Sequence, residues 1–423
     1  MPTSNNPQRP LAELLAELEI AVRAGNRLRA VQLEQIILQR LATEAADHAA
    51  TERRVRALME QLKLASATPP GPPAAPSPHV RGVDPSITER GEAAVADGVV
   101  YPVWFGTNRK PAAGGTGFTG ERHDRITRGR VEVHVPEAHR FGETGNSFWK
   151  RLLRFDLRDD HLRAQKITRQ ERDAFFADIQ KTLQAAREGG ETPHALFFLH
   201  GFNVTFESAA IRAAQIGVDL KSPATAFFSW PSRGNVAAYP ADEASIEASE
   251  RAITDFLVEF TANCGAEKIH VIAHSMGNRG LLRALQRIAA NAQTRGKVRF
   301  GQVFLAAPDV DRDLFLDLAR LYADHAERTT LYASDSDLPV HLSSKIHDAP
   351  RAGYYLPYTV APGVDTVAVP DFDIDLLGHS YFAQAEALLH DIYDLMRHNQ
   401  APAQRQRIAA ALDGSATFWK LRR

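Results

Sequence analysis

The stretch HVIAHSMGNRG, residues 270–280, joins an apolar run to a helix-like pattern through a single serine, Ser275. Small residues stand two positions before and two positions after it, at Ala273 and Gly277. A strand-to-helix turn that exposes a hydroxyl needs small residues at both positions, because larger side chains would collide with neighbouring backbone. The pattern predicts a nucleophile on a strained turn. The alternative interpretation is a serine that only caps the following helix.

The segments on either side of this turn alternate between strand and helix patterns. From residue 195 onward the strand candidates are nearly continuous apolar runs, such as ALFFL at 195–199 and FGQVFLA at 300–306. Strands buried on both faces have this composition, which predicts an α/β fold with a parallel sheet covered by helices. Strands are predicted at 99–105, 130–135, 195–199, 224–229, 268–273, 300–306, 329–333 and 366–369. Helices are predicted at about 169–188, 205–219, 241–263, 276–291, 311–321, 339–347 and 380–397.

The sequence His200-Gly201-Phe202-Asn203 directly follows the predicted strand at 195–199. Functional groups of an open parallel sheet lie at the carboxyl ends of its strands, so this loop is expected beside the Ser275 turn. The backbone N–H groups of Phe202 and Met276 would then form an oxyanion hole. The alternative interpretation is an ordinary strand-to-helix turn.

A serine nucleophile needs a base that accepts its proton and an acid that orients the base. In this topology the chain order is serine, acid, histidine. His379, in LLGHSYF just beyond the last predicted strand, is the predicted base. The predicted acid is Asp337, which follows the next-to-last strand, and Asp335 and Asp309 remain alternatives. Carboxylates that are not used in this way are expected to cap helices.

The chain is predicted to contain four segments. Residues 1–66 show a helical hairpin pattern, and residues 67–96 form a linker that includes the proline-rich TPPGPPAAPSPH. Residues 97–397 carry the strand–helix alternation, and residues 398–423 are expected to be a docked or trailing helix with a basic end. The hairpin is expected to pack on its own chain or on a second copy, which would give a homo-oligomer, with an outside partner as the remaining alternative.

Composition restricts the class of protein. Hydrophobic residues make up 44% of the chain and charged residues 24%, which is typical of a soluble globular protein. The formal net charge of -1 argues against a nucleic-acid partner. Cys264 is the one cysteine, which excludes an internal disulfide. No segment has the length of apolar sequence that a transmembrane helix needs, and the polar start lacks a secretory pattern, so cytoplasmic localisation is expected.

The motifs taken together resemble the α/β-hydrolase superfamily, and most closely an uncharacterised bacterial branch with HGFN and AHSMG motifs. That branch also has a strand ending in G-T-N-R, here Gly106–Arg109, a W-P-S element at Trp230–Ser232, and A-A-P-D at Ala306–Asp309. The resemblance covers about residues 97–397. It implies an eight-stranded, mostly parallel sheet and an acyl-transfer triad of Ser275, an acidic residue and His379.

These residues predict a serine hydrolase that cleaves a small-molecule carboxylic ester or thioester through an acyl-enzyme, with no metal or organic cofactor. The alternatives are a non-catalytic scaffold on the same fold and an acyltransferase. No large insertion separates Ala306 from the next helix, so no lid domain is expected there. Asn203, Trp230 and Tyr381 are the predicted substrate-binding residues.

The predicted site is lined by aromatic residues, which suits an acyl chain or an aromatic ester. The alternative for these side chains is ordinary core packing. They are Phe202, Phe206, Trp230, Tyr381 and Phe382. Arg109, Arg233 and Arg279 are expected to tie loops to carboxylates, with recognition of an anionic substrate group as the alternative.

Overall fold

The structure is a computed structural model, and it describes the chain in nine ranges and two single positions. These are residues 11–23, 33, 37, 98–114, 117–136, 163–234, 238–334, 349–354, 357–369, 381–414 and 416–422. The chain divides into two compact units, Met1–Arg90 and Gly91–Arg423.

The first unit contains helix α1 (Leu11–Arg23). Leu14 and Leu18 are buried whereas Ile20 is exposed, as expected for a helix that buries one apolar stripe. Leu33 and Ile37 are also helical and buried. The remainder of the predicted hairpin and the proline-rich linker lie outside the described residues.

The second unit is built on an eleven-stranded sheet. Its strands are β1 (Gly98–Pro111), β2 (Phe118–Pro136), β3 (Arg163–Gln170), β4 (His194–Leu199), β5 (Ala224–Ser229), β6 (Lys268–His274), β7 (Phe300–Ala306), β8 (Ala326–Ser334), β9 (Val364–Val369), β10 (Ile408–Asp413) and β11 (Ala416–Leu421). The order across the sheet is β10-β11-β9-β8-β7-β6-β4-β5-β1-β2-β3. Neighbouring strands from β11 to β1 in this order are parallel, and the β10–β11, β1–β2 and β2–β3 pairs are antiparallel. The mostly parallel sheet confirms the predicted α/β fold, with eleven strands in place of eight.

Helices connect the parallel strands. They are α2 (Arg172–Glu188), α3 (Phe206–Asp219), α4 (Tyr239–Ala248), α5 (Glu250–Asn263), α6 (Gly277–Ala290), α7 (Arg312–Leu318), α8 (Arg320–His325) and α9 (Tyr381–His398). The single helix predicted at 241–263 is divided at Ser249, whose hydroxyl bonds to the carbonyl oxygen of Ser245 at 2.7 Å. The predicted helix at 339–347 lies outside the described residues.

Apolar side chains pack on both faces of the sheet. All six residues of β4 are buried, and successive side chains of a strand point to opposite faces. Phe197 and Leu199 join the cluster that includes Phe256 of α5. Leu196 and Phe198 join the cluster on the other face, which includes α3 and the described part of α9. Burial on both faces explains the continuous apolar runs in the sequence.

The C-terminal segment forms strands, so the predicted trailing helix is wrong. A short 3-10 turn (Pro402–Gln404) leads into the β10–β11 hairpin, which turns at Gly414 with φ of 59°. Strand β11 pairs with β9 and extends the central sheet. Arg405 is buried against Asp391 of α9, where its Nε donates at 2.9 Å. This buried ion pair fixes the start of the hairpin to the sheet domain.

Candidate active site

Ser275 follows the end of β6 and precedes α6 in a strained turn. Its φ is 47°, in the left-handed region that residues with a Cβ seldom occupy. The Ser275 N–H donates to the carbonyl oxygen of Ala306 at 2.9 Å, and the Ser275 carbonyl accepts from the N–H groups of Asn278 and Asp309, each at 3.1 Å. The N-cap of α6 is Met276, without a side-chain cap. Ser275 therefore carries its hydroxyl on a clamped turn and does not cap the helix.

Small residues around Ser275 allow three segments to meet. A Cβ on Gly277 would lie 2.5 Å from the carbonyl oxygen of His200 and 2.7 Å from that of Leu199. A Cβ on Gly201 would lie 3.1 Å from the Cβ of Ser275. Distances this short require a neighbour to move, so glycine permits the end of β4 to pack directly against the serine turn. The HGFN loop thus lies beside Ser275, as the sequence predicts.

The HGFN loop is itself held by buried hydrogen bonds. Asn203 has φ of 57°, and its N–H donates to Asp242 Oδ2 at 3.2 Å. The Val204 N–H donates to Ser232 Oγ at 3.0 Å, and that hydroxyl donates to Asp242 Oδ2 at 2.5 Å. Burial raises the pKa of the Asp242 carboxyl, while these hydrogen bonds favour its ionised form. Asp242 was not singled out by the sequence, because its partners lie in loops that only the fold brings to it.

The other predicted members of the triad stay predictions. His379, Asp337 and Asp335 lie outside the described residues, and the side chain of Tyr381 does as well. Phe382 shares this status. The structure therefore shows the turn and the loop of the predicted site, and not its base.

Asp309, the third candidate acid, is described and lies in an ion cluster. Its Oδ2 accepts from the Tyr239 hydroxyl at 2.6 Å, and its Oδ1 lies 3.3 Å from Arg279 Nη2 and 3.6 Å from Arg351 Nε. Two guanidinium groups compensate the charge of this buried carboxylate, and the phenol donates a hydrogen bond to it. The cluster favours a structural role for Asp309. Asp311 caps α7 through the N–H groups of Asp313 and Leu314, as expected for an unused carboxylate.

The described aromatic residues predicted to line the site are buried. Trp230 has no exposed surface, and its Nε1 donates to the carbonyl oxygen of His200 at 2.8 Å. Its ring stacks on the His200 ring with centroids 5.1 Å apart. Phe206 packs in the core against Phe105, and Phe202 packs edge-on against Tyr239. The observed contacts of Trp230 support the HGFN loop, and substrate contact by Trp230 or Asn203 stays a prediction.

Two of the three candidate arginines tie loops together. Arg279 does so through carboxylates, as the structural interpretation predicts, and Arg109 through carbonyl oxygens and a hydroxyl. Arg109 Nη2 donates to the Val204 carbonyl at 2.7 Å, and burial lowers the pKa of its guanidinium to about 9. Arg279 Nε donates to the Asp309 carbonyl at 2.6 Å, and its Nη1 pairs with Glu243. Arg233 has an exposed side chain.

A cavity of about 110 Å³ lies where the end of α4 and the start of α5 face α6 and α7. Its lining includes Gly280, Leu314 and Arg351, but neither Ser275 nor the HGFN loop. It is therefore separate from the serine turn. Within the described ranges, no group of three or more His, Cys, Asp or Glu side chains could hold a metal ion. None of the helices described here has the length and apolar character of a membrane span.

The mostly parallel sheet, its covering helices and the serine turn after the central strand define an α/β-hydrolase fold. Residues 173–397 match the family described as "Alpha/beta hydrolase of unknown function (DUF900)". This match includes more than half of the chain, and the chain belongs to that family.

A more distant similarity links the chain to a crystal structure of an uncharacterized protein from Bacillus cereus ATCC 10987. The two share 13% sequence identity over 49% of this chain and 60% of that chain, with a TM-score of 0.32. The chain thus spans less than two thirds of that protein, and a similarity this low supports no functional argument. No curated protein matches the chain.

Proposed function

We propose that the protein is a serine hydrolase that cleaves carboxylic ester or thioester bonds through an acyl-enzyme. The observation that carries this proposal is the left-handed backbone of Ser275, held by Ala306 and Asp309 directly beside the HGFN loop. Strained conformations of this kind cost about 1–3 kcal/mol, and they persist where surrounding structure enforces them. A strained serine at the carboxyl end of a central parallel strand is the arrangement that nucleophilic acyl transfer needs.

The reaction then follows from the groups at the turn. Ser275 Oγ attacks the carbonyl carbon while His379 accepts the hydroxyl proton, and Asp337 orients the imidazole. The developing oxyanion accepts hydrogen bonds from the N–H groups of Met276 and Phe202. The alcohol or thiol leaves with the proton held by His379. Water then attacks the acyl carbon and gives a proton to His379. The bond to Ser275 Oγ breaks, His379 returns that proton to Oγ, and the acid product leaves.

The test uses a serine-directed fluorophosphonate and a panel of acyl esters of increasing chain length. Wild-type protein is expected to be labelled and to hydrolyse at least one ester, whereas Ser275→Ala loses both activities. His379→Ala should lose a similar amount of rate, because nucleophile and base act as one unit. Labelling that survives unchanged in Ser275→Ala would contradict the proposal.

A further inference from the structure

Two sequence motifs that supply no reacting group in the proposed reaction converge on the HGFN loop. Arg109 ends the G-T-N-R motif, and its buried guanidinium donates to four groups, one of which is the Thr119 carbonyl oxygen of β2 at 3.3 Å from Nη1. Nε donates to Ser229 Oγ at 2.8 Å, Nη1 to the Ser232 carbonyl at 2.8 Å, and Nη2 to the Val204 carbonyl at 2.7 Å. One side chain therefore connects the end of β5, the W-P-S element and the HGFN loop.

His200 continues this set of hydrogen bonds into the loop. Its Nε2 lies 3.2 Å from Ser229 Oγ, and its Nδ1 lies 2.7 Å from the carbonyl oxygen of Gly201. A carbonyl oxygen can only accept, so Nδ1 carries the hydrogen. Burial, together with the charge of Arg109, holds the pKa of His200 well below its usual range, so the imidazole is neutral.

The protonation pattern of the set follows from these two points. A neutral imidazole with its hydrogen on Nδ1 accepts at Nε2, and the Ser229 hydroxyl is the donor there. Ser229 Oγ in turn accepts from Arg109 Nε, which can only donate. Each hydrogen bond in the series from Arg109 through Ser229 and His200 to Gly201 therefore has a defined donor and a defined acceptor.

The last acceptor of the series belongs to the peptide unit that supplies a proposed oxyanion donor. The Gly201 carbonyl and the Phe202 N–H share one planar trans peptide, so fixing the oxygen also fixes the direction of the N–H. The flanking groups are held as well, since Trp230 Nε1 donates to the His200 carbonyl and the Asn203 N–H donates to Asp242. The plane of the Gly201–Phe202 peptide thus has little freedom to rotate.

We propose that Arg109, Ser229 and His200 are positioning residues that aim the Phe202 N–H at the oxyanion, by holding the Gly201 carbonyl from behind. This role rests on the proposed acyl-transfer function. Oxyanion-hole donors act only when they point to where charge develops, and removal of one costs about 10²–10³ in kcat. These residues would therefore stabilise the transition state without touching the substrate.

A matched pair of variants tests independently the contact of His200 Nδ1 with Gly201 and that of Nε2 with Ser229. In His200→Asn the amide nitrogen stands where Nδ1 stood and can still donate to the Gly201 carbonyl. In His200→Gln the amide reaches the position of Nε2 and keeps only the Ser229 contact. Arg109 is a poorer first target, because its removal leaves the Val204 and Ser232 carbonyls unpaired and endangers folding.

The readout is kcat per active site, with sites counted by fluorophosphonate labelling, together with KM and the Ki of a trifluoromethyl ketone. In His200→Gln, kcat should fall about 10²-fold with little change in KM, and the Ki should rise by a similar factor. His200→Asn should keep kcat within about 5-fold of wild type. A merely structural defect would lower the number of labelled sites and leave kcat per site and Ki unchanged.

Ser229→Ala tests the link between Arg109 and the ring. It removes the donor that selects the Nδ1-H form, so kcat per site should fall several-fold in the wild-type background. In the His200→Asn background the same change should have no further effect, because an amide has no tautomer to select.

Failure of the positioning role and failure of the proposed hydrolase function would give different results. An active wild-type enzyme whose His200→Gln variant matches His200→Asn in kcat per site would overturn the positioning role alone. Equal effects of Ser229→Ala in the wild-type and His200→Asn backgrounds would show that Arg109 and Ser229 do not select the Nδ1-H form of His200. A wild-type protein that is neither labelled nor active on the ester panel would overturn the proposed function and this role with it.

Discussion

Asp309 illustrates how a single buried carboxylate can be assigned from its neighbours. It follows β7 in a position that suits a triad acid, and the sequence leaves it open beside Asp337 and Asp335. In the fold it faces Arg279, Arg351 and the Tyr239 hydroxyl, and its backbone N–H holds the Ser275 carbonyl. The ion pairs of its side chain therefore hold in place the backbone N–H that bonds to the serine turn.

We expect Asp309→Asn and Asp337→Asn to have opposite effects. Removing the Asp309 charge takes the nearest carboxylate from Arg351 and one of two paired carboxylates from Arg279, and the free energy of unfolding should fall by about 3 kcal/mol. The kcat per labelled site of Asp309→Asn should stay within about 10-fold of wild type. Asp337→Asn should lower kcat by about 10³–10⁴ with little loss of stability. Urea unfolding and steady-state kinetics measure both, and the reverse result would make Asp309 the acid.

The sequence predicts the strained serine and the HGFN loop because both are local patterns. Ala273, Ser275 and Gly277 stand within five positions, and HGFN directly follows an apolar run. The bond between Arg109 and Ser229 could not be predicted in this way, because 120 residues separate them and only the β1–β5 pairing brings them together. Local motifs therefore predict the reacting groups, but not the long-range hydrogen bonds that hold them in place.

Among the elements, the central strands were predictable and the edge strands were not. Strands β4 to β7 are continuous apolar runs, which burial on both faces requires. Strand β3, with the sequence RAQKITRQ, is polar and pairs only with β2, so no apolar pattern marks it. The β10–β11 hairpin had a readable signal in Gly414-Ser415, since a Gly-Ser pair between two short strand patterns favours a tight hairpin turn.

The imidazoles of His194 and His270, in β4 and β6, make stability depend on pH. Their ring centroids are 5.5 Å apart, and burial lowers the pKa of His270 to about 3. The unfolded state takes up a proton near pH 6.5 and the folded state does not, so stability is complete above that pH and falls as the pH drops towards 3. At pH 4.5 the loss from His270 should be about 3 kcal/mol.

Urea unfolding between pH 7.5 and 4.5 measures this loss. His270→Asn is the matched variant, because its amide oxygen can still accept from the Gln302 N–H, which bonds to His270 Nδ1 at 3.1 Å. The variant does not titrate, so its stability should change less over the same interval. Equal slopes for the two proteins would show that His270 does not cause the dependence.

The contact between Arg405 and Asp391 should decide whether the C-terminal hairpin stays attached to the sheet. Arg405 and Asp391 are both buried, and Asp391 also accepts from the Tyr332 hydroxyl at 2.7 Å. Arg405→Leu leaves that carboxylate without its cation, and we expect a loss of about 3–5 kcal/mol in urea unfolding. Arg407→Leu, at an exposed position two residues away, should change stability by less than about 0.5 kcal/mol. Similar losses in both variants would contradict the assigned role.

At the scale of the whole molecule, the chain comprises two units with separate expected tasks. The proposed reaction uses only residues of the second unit, Gly91–Arg423, and the family match lies within it. The first unit supplies α1, whose apolar stripe is typical of a helix that packs on another surface. We therefore expect catalysis and self-association to be separable.

A chain that begins at Gly91 should keep kcat and KM within about 2-fold of the full-length protein. If the N-terminal helices cause oligomerisation, the shortened chain should be a monomer by light scattering while the full-length chain forms a larger species. Loss of activity on shortening would instead mean that the first unit contributes to the site. A monomeric full-length chain would contradict self-association.

Strand β6 is the middle strand of the sheet, with five strands on each side. Fraying of a sheet starts at its outer strands, where backbone groups have a partner on one side only. An opening that begins at β3 or β10 must separate several strands before it reaches the residue that follows β6. The amide hydrogens around Ser275 should therefore exchange with deuterium only when the entire sheet opens, however mobile its rims become.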